Sequence, residues 1–170
     1  AAGTSALGNS QRGIELYGPS NTIGGATASA RNVISGNFDG IAIISTTGNR
    51  VLGNYIGTNV TCSAALGNVR DGVIIVTGAA NNVVGGTEAG AGNLISGNGR
   101  YGIDFFSNST LVTGNVVQGN FIGTDVTGAA ALGNAWSGVA IENASTNNII
   151  GGTAAGAGNV ISGNKNNGVH

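Results

Sequence analysis

Two acidic residues, Asp104 and Glu142, follow glycines in two similar segments of this 170-residue chain. Asp104 is the second residue after Gly102, and Glu142 is the fourth residue after Gly138. If the two segments are neighbouring strands, one strand separation of about 4.8 Å and two residues of about 3.3 Å each place their backbones roughly 8 Å apart. That distance lies within the ~6.5–9.5 Å carboxyl separation of inverting glycosidases. The pattern predicts a catalytic carboxylate pair that projects outward from one sheet, with solvated surface charges as the alternative interpretation.

The two acids belong to a series of glycine-led runs in which apolar residues alternate. The runs begin at Gly13, Gly40, Gly72, Gly102 and Gly138, 27 to 36 residues apart. Short β-branched runs bounded by Gly, Asn, Ser and Thr are typical of strands, and no segment shows a sustained helical period. The first and third residues after each glycine are apolar and point to the same side, so stacked runs predict continuous apolar ladders in the interior. These residues are Ile14, Leu16, Ile41, Ile43, Val73, Ile75, Ile103, Phe105, Val139 and Ile141.

A longer repeat joins these runs into one architecture. The segment Ile-Ser-Gly-Asn occurs three times, ending at Asn37, Asn98 and Asn164, and Ile-Gly-Thr occurs twice between them, ending at Thr58 and Thr124. The repeating unit therefore comprises two coils, and each unit must bury its apolar face on its neighbours. The prediction is an all-β solenoid of five to six coils with three short strands each, forming a single domain over residues 1–170.

Asparagine recurs at the point where each coil closes before the next glycine-led strand. The residues at this position are Asn37, Asn68, Asn98, Asn134 and Asn164. Asn tolerates positive φ and can hydrogen-bond nearby backbone groups, and identical amides stacked along an axis can form a ladder. We therefore expect these side chains to bond to one another from coil to coil.

The combined pattern resembles the right-handed parallel β-helix repeats of the pectin-lyase-like superfamily. The residues that carry the resemblance are Asn-x-Ile-Gly-Gly-Thr, Gly-Asn-Val-Ile-Ser-Gly-Asn and Gly-Asn-Tyr-Ile-Gly-Thr, which together cover nearly the whole chain. The resemblance implies a right-handed parallel β-helix, which agrees with the handedness of parallel crossovers in general. It also implies an extracellular or cell-surface bacterial protein. Members include polysaccharide lyases and hydrolases, adhesins and inert spacers, so the resemblance leaves the activity open.

The other side of the glycine-led strands predicts an apolar patch on the outer surface. Its residues are Tyr17, Ile44, Ile74, Val76 and Phe106. An exposed apolar sheet face generally marks a contact with a partner. The partner could be a second copy, another domain of a parent protein or a sugar surface. The alternative is that residues 107–113, which are longer than the matching turn at 45–48, cover the patch.

Few other residues suggest chemistry. Asn59 and Asp125 occupy matching loop positions that could contribute to a Ca²⁺ site, with turn capping as the alternative, and we expect no cofactor. His170 has no partner in sequence for a nucleophilic system, and Cys62 aligns with Gly128 in the equivalent loop. An ice- or crystal-binding face is disfavoured because no strand carries an outward Thr-x-Thr ladder.

Composition narrows the range of partners. Hydrophobic residues make up 41%, charged residues 8%, and the net charge is −1, so neither nucleic acid nor an anionic membrane is an expected partner. The five arginines are dispersed along the coils, which suggests solubility. The sequence starts without Met and stops partway into a repeat, so we expect a piece of a longer protein. The leading interpretation is a structural or adhesive module that makes protein or glycan contacts through flat sheet faces; the alternative is a carbohydrate-active enzyme using Asp104 and Glu142.

Overall fold

The computed structural model describes residues 3–170 and shows three parallel sheets of five strands each. The strands of the first sheet are the glycine-led runs, and the second and third sheets follow them in each coil. In sheet A they are β1 (Ile14–Leu16), β4 (Ile41–Ile44), β7 (Val73–Val76), β10 (Ile103–Thr113) and β13 (Val139–Thr146). In sheet B they are β2 (Thr22–Gly24), β5 (Arg50–Leu52), β8 (Val83–Gly85), β11 (Val116–Gln118) and β14 (Ile149–Ile150). In sheet C they are β3 (Val33–Ile34), β6 (Tyr55–Ile56), β9 (Leu94–Ile95), β12 (Phe121–Ile122) and β15 (Val160–Ile161).

Equivalent strands of successive coils lie side by side, which makes the fold a right-handed parallel β-helix of about five coils. In sheet A, Ile41 pairs with Ile14 on one side and with Val73 on the other, and Val73 pairs with Ile103. The predicted fold class is therefore confirmed. Helix is almost absent from residues 3–170, where a 3-10 turn spans Ala28–Ala30. None of the described helical segments is long and apolar enough to cross a membrane.

The apolar ladders fill the interior as predicted. All ten predicted residues belong to the core or pack against it, and Ile41, Val73 and Ile103 are completely buried. The second and third sheets contribute their own columns, among them Val51 and Val84 from sheet B. Because each strand has only two to four residues in most coils, the interior is a narrow column of aliphatic side chains.

Three asparagine ladders, one at each corner of the coil, join the coils outside the strands. The predicted ladder is confirmed, and it also includes Asn9. Two further ladders had not been predicted. One comprises Asn21, Asn49, Asn82, Asn115 and Asn148, and the other comprises Asn32, Asn54, Asn93, Asn120 and Asn159.

Each rung of a ladder satisfies both backbone and side-chain groups. The backbone N–H and Nδ2 of Asn82 donate to Oδ1 of Asn115 at 3.0 and 2.9 Å, and Oδ1 of Asn82 accepts the same two bonds from Asn49. Nδ2 of Asn82 also donates to the carbonyl of Thr46 at 3.1 Å. The amide therefore satisfies buried turn groups that no strand pairs with.

Glycine is required where a turn passes close under the ladder. Gly57 has φ +89°, and an added Cβ would lie 2.3 Å from the carbonyl oxygen of Ser96 and 2.4 Å from Oδ1 of Asn98. Only a residue without a side chain fits at this point, because the backbone conformation and the space both exclude a Cβ. This close approach explains the glycine in the repeated Ile-Gly-Thr segment.

We expect Asn82→Leu to destabilise the fold by about 3 kcal/mol or more, because it leaves several buried donors and acceptors without partners. Urea unfolding measures the loss. Asn108→Leu is the matched control: Asn108 is exposed and lies on β10 outside the ladders, so it should change the unfolding free energy by less than about 0.5 kcal/mol. Equal effects of the two substitutions would contradict the role of the ladder.

Candidate functional site

The turns that precede the strands of sheet A position five charged side chains, those of Arg12, Asp39, Arg70, Asp71 and Arg100. In each turn the chain runs beside the same turn of the previous coil. The N–H of Arg70 donates to the carbonyl of Phe38, that of Arg100 to Arg70, and that of Trp136 to Arg100. These four residues therefore stack in one line along the axis, and we call them the aromatic–arginine row.

The arginines of the row also belong to an arginine–carboxylate cluster, which comprises Arg12, Asp39, Arg70, Asp71, Arg100 and Asp104. Its centre is Arg100, whose Nε donates to Oδ1 of Asp71 at 3.1 Å and whose terminal nitrogen donates to Oδ2 of Asp104. At the other end, Nε of Arg12 donates to Oδ2 of Asp39 at 3.1 Å. The cluster spans four coils of the outer face of sheet A.

Asp104 lies on the outward side of the sheet, as predicted, but it is not a solvated surface charge, which was the alternative interpretation. It is completely buried, although it belongs to the outward set and not to the core. The reason is that Arg100, from the turn that precedes the strand, reaches over it. Burial, followed by the charge of Asp71, raises the pKa of Asp104 to about 7, while the positive charge of Arg100 acts in the opposite direction.

Asp71 is buried in the same way. Its Oδ1 accepts bonds from Arg100 and from the N–H of Tyr101, and burial raises the pKa of this carboxyl. One oxygen of each acid, Oδ2 of Asp71 and Oδ1 of Asp104, has no hydrogen-bond partner among residues 3–170. Two adjacent buried acids with incomplete hydrogen bonding favour retention of a proton between them.

Glu142 lies one coil beyond Asp104 and two positions further along the strand, as the residue spacing predicted. It is half-buried and bound to Tyr101, whose hydroxyl donates to Oε1 at 2.8 Å. Burial and this bond raise the pKa of Tyr101 to about 12. The structure places the two predicted acids on neighbouring strands but separates their roles, because Asp104 pairs with Arg100 and Glu142 pairs with Tyr101. Their assignment as catalytic residues stays a prediction.

Most side chains of the predicted apolar patch are buried or half-buried. Of its members, Tyr17 is 63% exposed, Ile74 is only 5% exposed, and Ile44, Val76 and Phe106 are half-buried. The expectation of a bare patch is therefore wrong for Ile74, which lies in register between the fully buried Ala42 and Asp104. The role of these residues as an interface stays a prediction.

The longer segment at residues 107–113 continues β10 instead of forming a loop. It pairs with β13 as far as Thr146, with an irregularity after Ser107. Thr110 lies against Gly78, in the turn that follows β7. A Cβ added to Gly78 would lie 3.3 Å from the Cβ of Thr110. The extension, called the overhang below, therefore projects over the end of the neighbouring strand and leaves Leu111 56% exposed.

Asp125 and Asn59 cap their own turns. Asp125 accepts bonds from the hydroxyl of Thr127 and from the N–H groups of Ala129 and Ala130, and the Thr127 bond is the main reason that its pKa is lowered. Asn59 accepts the corresponding N–H of Ser63. Within residues 3–170, no three His, Cys, Asp or Glu side chains are grouped as a metal site requires.

A groove of about 320 Å³ lies on the outer side of sheet C, away from the cluster. Its lining includes Arg31, Tyr55, Glu88, Leu94 and Phe121, and the guanidinium of Arg31 stacks 4.1 Å above the ring of Tyr55. Asp71, Asp104 and Glu142 do not line this groove. The concave surface and the buried acids therefore belong to different faces of the molecule.

Comparisons with known proteins add no relative. No family model matches the chain. No curated protein and no solved structure shows significant similarity to it. The site is therefore interpreted from its own geometry.

The cluster is the feature that sequence reasoning missed. Arg12, Arg70 and Arg100 were interpreted as dispersed, yet each lies one or two residues before a glycine that begins a strand. Asp39 and Asp71 lie directly before two of the same glycines. Charged residues one or two positions before these glycines are the signal that could have identified the cluster, because residues at equal or adjacent offsets in a solenoid lie close together.

We expect Asp104 to make stability depend on pH between about 4 and 7. Its folded pKa of about 7 lies above the ordinary value of 3.8, so the folded state retains a proton that the unfolded state releases. Stability should therefore fall as the pH rises through this window. The charges of Asp71, Arg100, Glu142 and Arg70 act on this carboxyl and contribute to its titration.

The measurement is the urea midpoint from pH 4 to 8 for the wild type and for Asp104→Asn. The difference between the two curves should change across the window and be flat above it. Glu88→Gln, an exposed acid on another face, is the matched control and should give curves parallel to those of the wild type. A constant difference between wild type and Asp104→Asn over the whole range would show that Asp104 is already ionised at low pH.

Proposed function

We propose that the chain is a structural and adhesive β-helix module that makes protein or glycan contacts through the outer face of sheet A. The observation that carries the proposal is the closed arrangement of the face: Asp39, Asp71 and Asp104 are paired with arginines and buried, while aromatic side chains remain at the surface. Such a face suits attachment, because its buried acids already have charged partners and its aromatic rings supply contact area.

Stiffness is the first property that supports this role. Three ladders join successive coils, and ten of their sixteen members are buried. A coil cannot rotate or slide against its neighbour without breaking these bonds together with the strand pairing. A solenoid locked in this way holds a surface at a fixed distance and orientation, as a spacer requires.

The aromatic–arginine row is the second property that supports this role. Trp136 is 46% exposed and Phe38 is 39% exposed, and they stand at the two ends of the row. Arg100 lies over the rings of Trp136 and Tyr101, and Arg70 lies over the ring of Phe38. Three strand separations place the two end rings on the order of 14 Å apart. Large aromatic residues next to arginine are the residue types that dominate binding energy at interfaces.

The extracellular or cell-surface location and membership of the pectin-lyase-like superfamily are part of the same proposal. They are supported by the resemblance of the repeated Asn-Val-Ile-Ser-Gly-Asn and Ile-Gly-Thr segments and by the parallel β-helix architecture.

A carbohydrate-active enzyme is the second candidate function, and the raised pKa of Asp104 favours it. A general acid that works near neutral pH needs a pKa near 7, and Asp104 has this value beside a second carboxyl. Its complete burial under Arg100 argues against the role, because a general acid must reach the atom that it protonates.

We expect Trp136→Ala to weaken attachment about tenfold, the loss of roughly 1.4 kcal/mol typical of an exposed aromatic contact. Affinity electrophoresis in gels that contain single soluble polysaccharides measures the retardation of the native protein. Leu111→Ala is the matched control, because Leu111 is a large exposed apolar residue, like Trp136, but lies on the overhang. If no polysaccharide retards the wild type, glycan adhesion is abandoned; if both variants behave alike, the row is not the contact surface.

The two candidate functions also differ in turnover. The structural module should release no reducing ends from the same polysaccharides at any pH between 5 and 8. An enzyme should release them, and Asp104→Asn should then lower the rate at least 100-fold, as the loss of a general acid does. Turnover by the wild type that disappears in Asp104→Asn, with Asp125→Asn unaffected as the control, would replace the first proposal by the second.

A further inference from the structure

The groove on sheet C contains two copies of one local arrangement. Tyr55 and Phe121 each follow a Gly-Asn pair, at 53–54 and 119–120, and they lie on β6 and β12, in register on either side of Leu94. Two strand separations place the two aromatic residues about 10 Å apart. Leu94 between them is buried, whereas both aromatic side chains are half-buried. The groove therefore has two equivalent aromatic positions.

In the first copy, an arginine of the chain itself covers the ring. The guanidinium of Arg31 lies 4.1 Å above the ring of Tyr55, and its Nε donates to the carbonyl of Gly53 at 3.0 Å. Arg31 directly precedes Asn32, whose Nδ2 donates to Oδ1 of Asn54, the residue before the tyrosine. The asparagine ladder thus holds the backbone of the arginine beside the aromatic residue of the next coil.

In the second copy, a glycine replaces the arginine. Gly92 directly precedes Asn93, whose Nδ2 donates to Oδ1 of Asn120, the residue before Phe121. The ladder contact is the same, but no cationic side chain of residues 3–170 stacks on the ring of Phe121. The ring of the second copy therefore lacks the guanidinium that covers the ring of the first.

The hydrogen-bond acceptor of the second copy is also free. The carbonyl of Gly119 corresponds to the carbonyl of Gly53, which accepts the bond from Arg31, and Gly119 lines the groove. Within the described part of the chain, this carbonyl accepts no hydrogen bond. A Cβ added to Gly92 would lie 1.9 Å from its oxygen. The chain therefore cannot supply a side chain of its own at this point.

The groove carries a negative charge beside the second copy. Glu88, on the loop that leads to Gly92, lines the same groove, is exposed and forms no salt bridge with residues 3–170. Arg31, the cation of the groove, stands over the other ring, about 10 Å away, which is about one Debye length at 0.1 M salt. An aromatic face, a carbonyl and a carboxylate are together the groups that bind a guanidinium.

We infer that the position over Phe121 receives an arginine side chain of a partner protein. Its guanidinium stacks on the ring as that of Arg31 stacks on Tyr55. One of its N–H groups donates to the carbonyl of Gly119, and Glu88 neutralises its charge. A side chain carried by a peptide segment is the occupant, because the example within the molecule is carried by a loop and the groove, at about 320 Å³, has room for flanking residues.

The test titrates the isotope-labelled wild type with an acetylated and amidated pentapeptide that has one arginine between glycines, and follows the backbone amide signals by NMR. The comparison peptide has citrulline in place of arginine, which keeps the shape and removes the charge. The arginine peptide should shift the signals of Gly92 and Gly119 saturably, with a Kd in the millimolar range. The citrulline peptide should give no saturable shift up to about 20 mM.

Four variants locate the contact. Phe121→Leu should weaken binding of the arginine peptide about fivefold, because it removes the cation–π contact, and Phe121→Tyr, which keeps the ring, should bind like the wild type. Glu88→Gln should weaken binding about twofold to threefold, as the loss of an exposed ion pair does. Phe38→Leu is the matched control, because it removes a half-exposed phenylalanine from sheet A, and it should leave the affinity unchanged.

Each of three results would overturn the inference: no saturable shift with the arginine peptide, equal binding of the citrulline peptide, or wild-type affinity in Phe121→Leu. If Phe121→Leu does not fold, the exposed substitution Glu88→Gln decides in its place, and an unchanged affinity there overturns the inference equally. The proposed attachment through sheet A is a separate question. Trp136→Ala should bind the arginine peptide like the wild type, and Glu88→Gln should keep the retardation of the wild type in polysaccharide gels.

Discussion

The hydrogen bond from one asparagine to the asparagine one coil away is the interaction on which the rest of the structure depends. Most strands have two to four residues, a length that gives little cohesion on its own. The turns between them have backbone groups that strand pairing leaves free. A side-chain amide, with two donors and an acceptor with two lone pairs, can bond to the coil above and the coil below at once. Asn49, Asn54 and Asn82 are buried, and the low local dielectric strengthens the chain of bonds that they form.

Stacking at a fixed interval also constrains the charges. Turn residues at equal offsets lie about one strand separation apart, so two acids in successive coils repel unless a cation stands between them. Asp39 and Asp71 occupy such positions, and the N–H of Asp71 lies 3.4 Å from Oδ1 of Asp39. Arg12 and Arg100 neutralise them from the two sides. The cluster is thus what a solenoid needs in order to carry acids on one face, and the burial of Asp104 follows from the length of the arginine side chain.

Features that repeat at a regular interval could be predicted from the sequence, although the ladder through Asn49, Asn82 and Asn115, whose successive bonds span 33 residues, was missed. The apolar ladders and the asparagine ladder through Asn37 and Asn68 follow the glycine-led runs, which recur about every 30 residues. The ladder through Asn32, Asn54 and Asn93 could not be found with that interval, because its successive bonds span 22 and 39 residues. In alternate coils a long loop lies before or after this corner. The number of residues between successive asparagines of this ladder therefore alternates, although the distance between coils is constant.

The candidate site was less predictable for a different reason. Alternation along a strand tells which side a residue faces, and it correctly placed Asp104 outside the core. It does not tell what covers that side. The cover comes from Arg100, which belongs to the preceding turn, where no periodic pattern fixes the direction of a side chain. Exposure of outward residues in a solenoid is therefore decided by the turns as much as by the strands.

The burial of Asp104 also limits any chemistry at this face. A substrate could reach the carboxyl only if Arg100 moved, which would break its bonds to Asp71 and Asp104 and its stacking over Tyr101. Hydrogen bonds to charged groups contribute about 1.5–3 kcal/mol each, so breaking the two costs about 3–6 kcal/mol. Added to an activation barrier, that cost lowers a rate by a factor of about 10² to 10⁴. An adhesive module does not have to break these two bonds, because a partner that binds Trp136 and Phe38 leaves Arg100 in place.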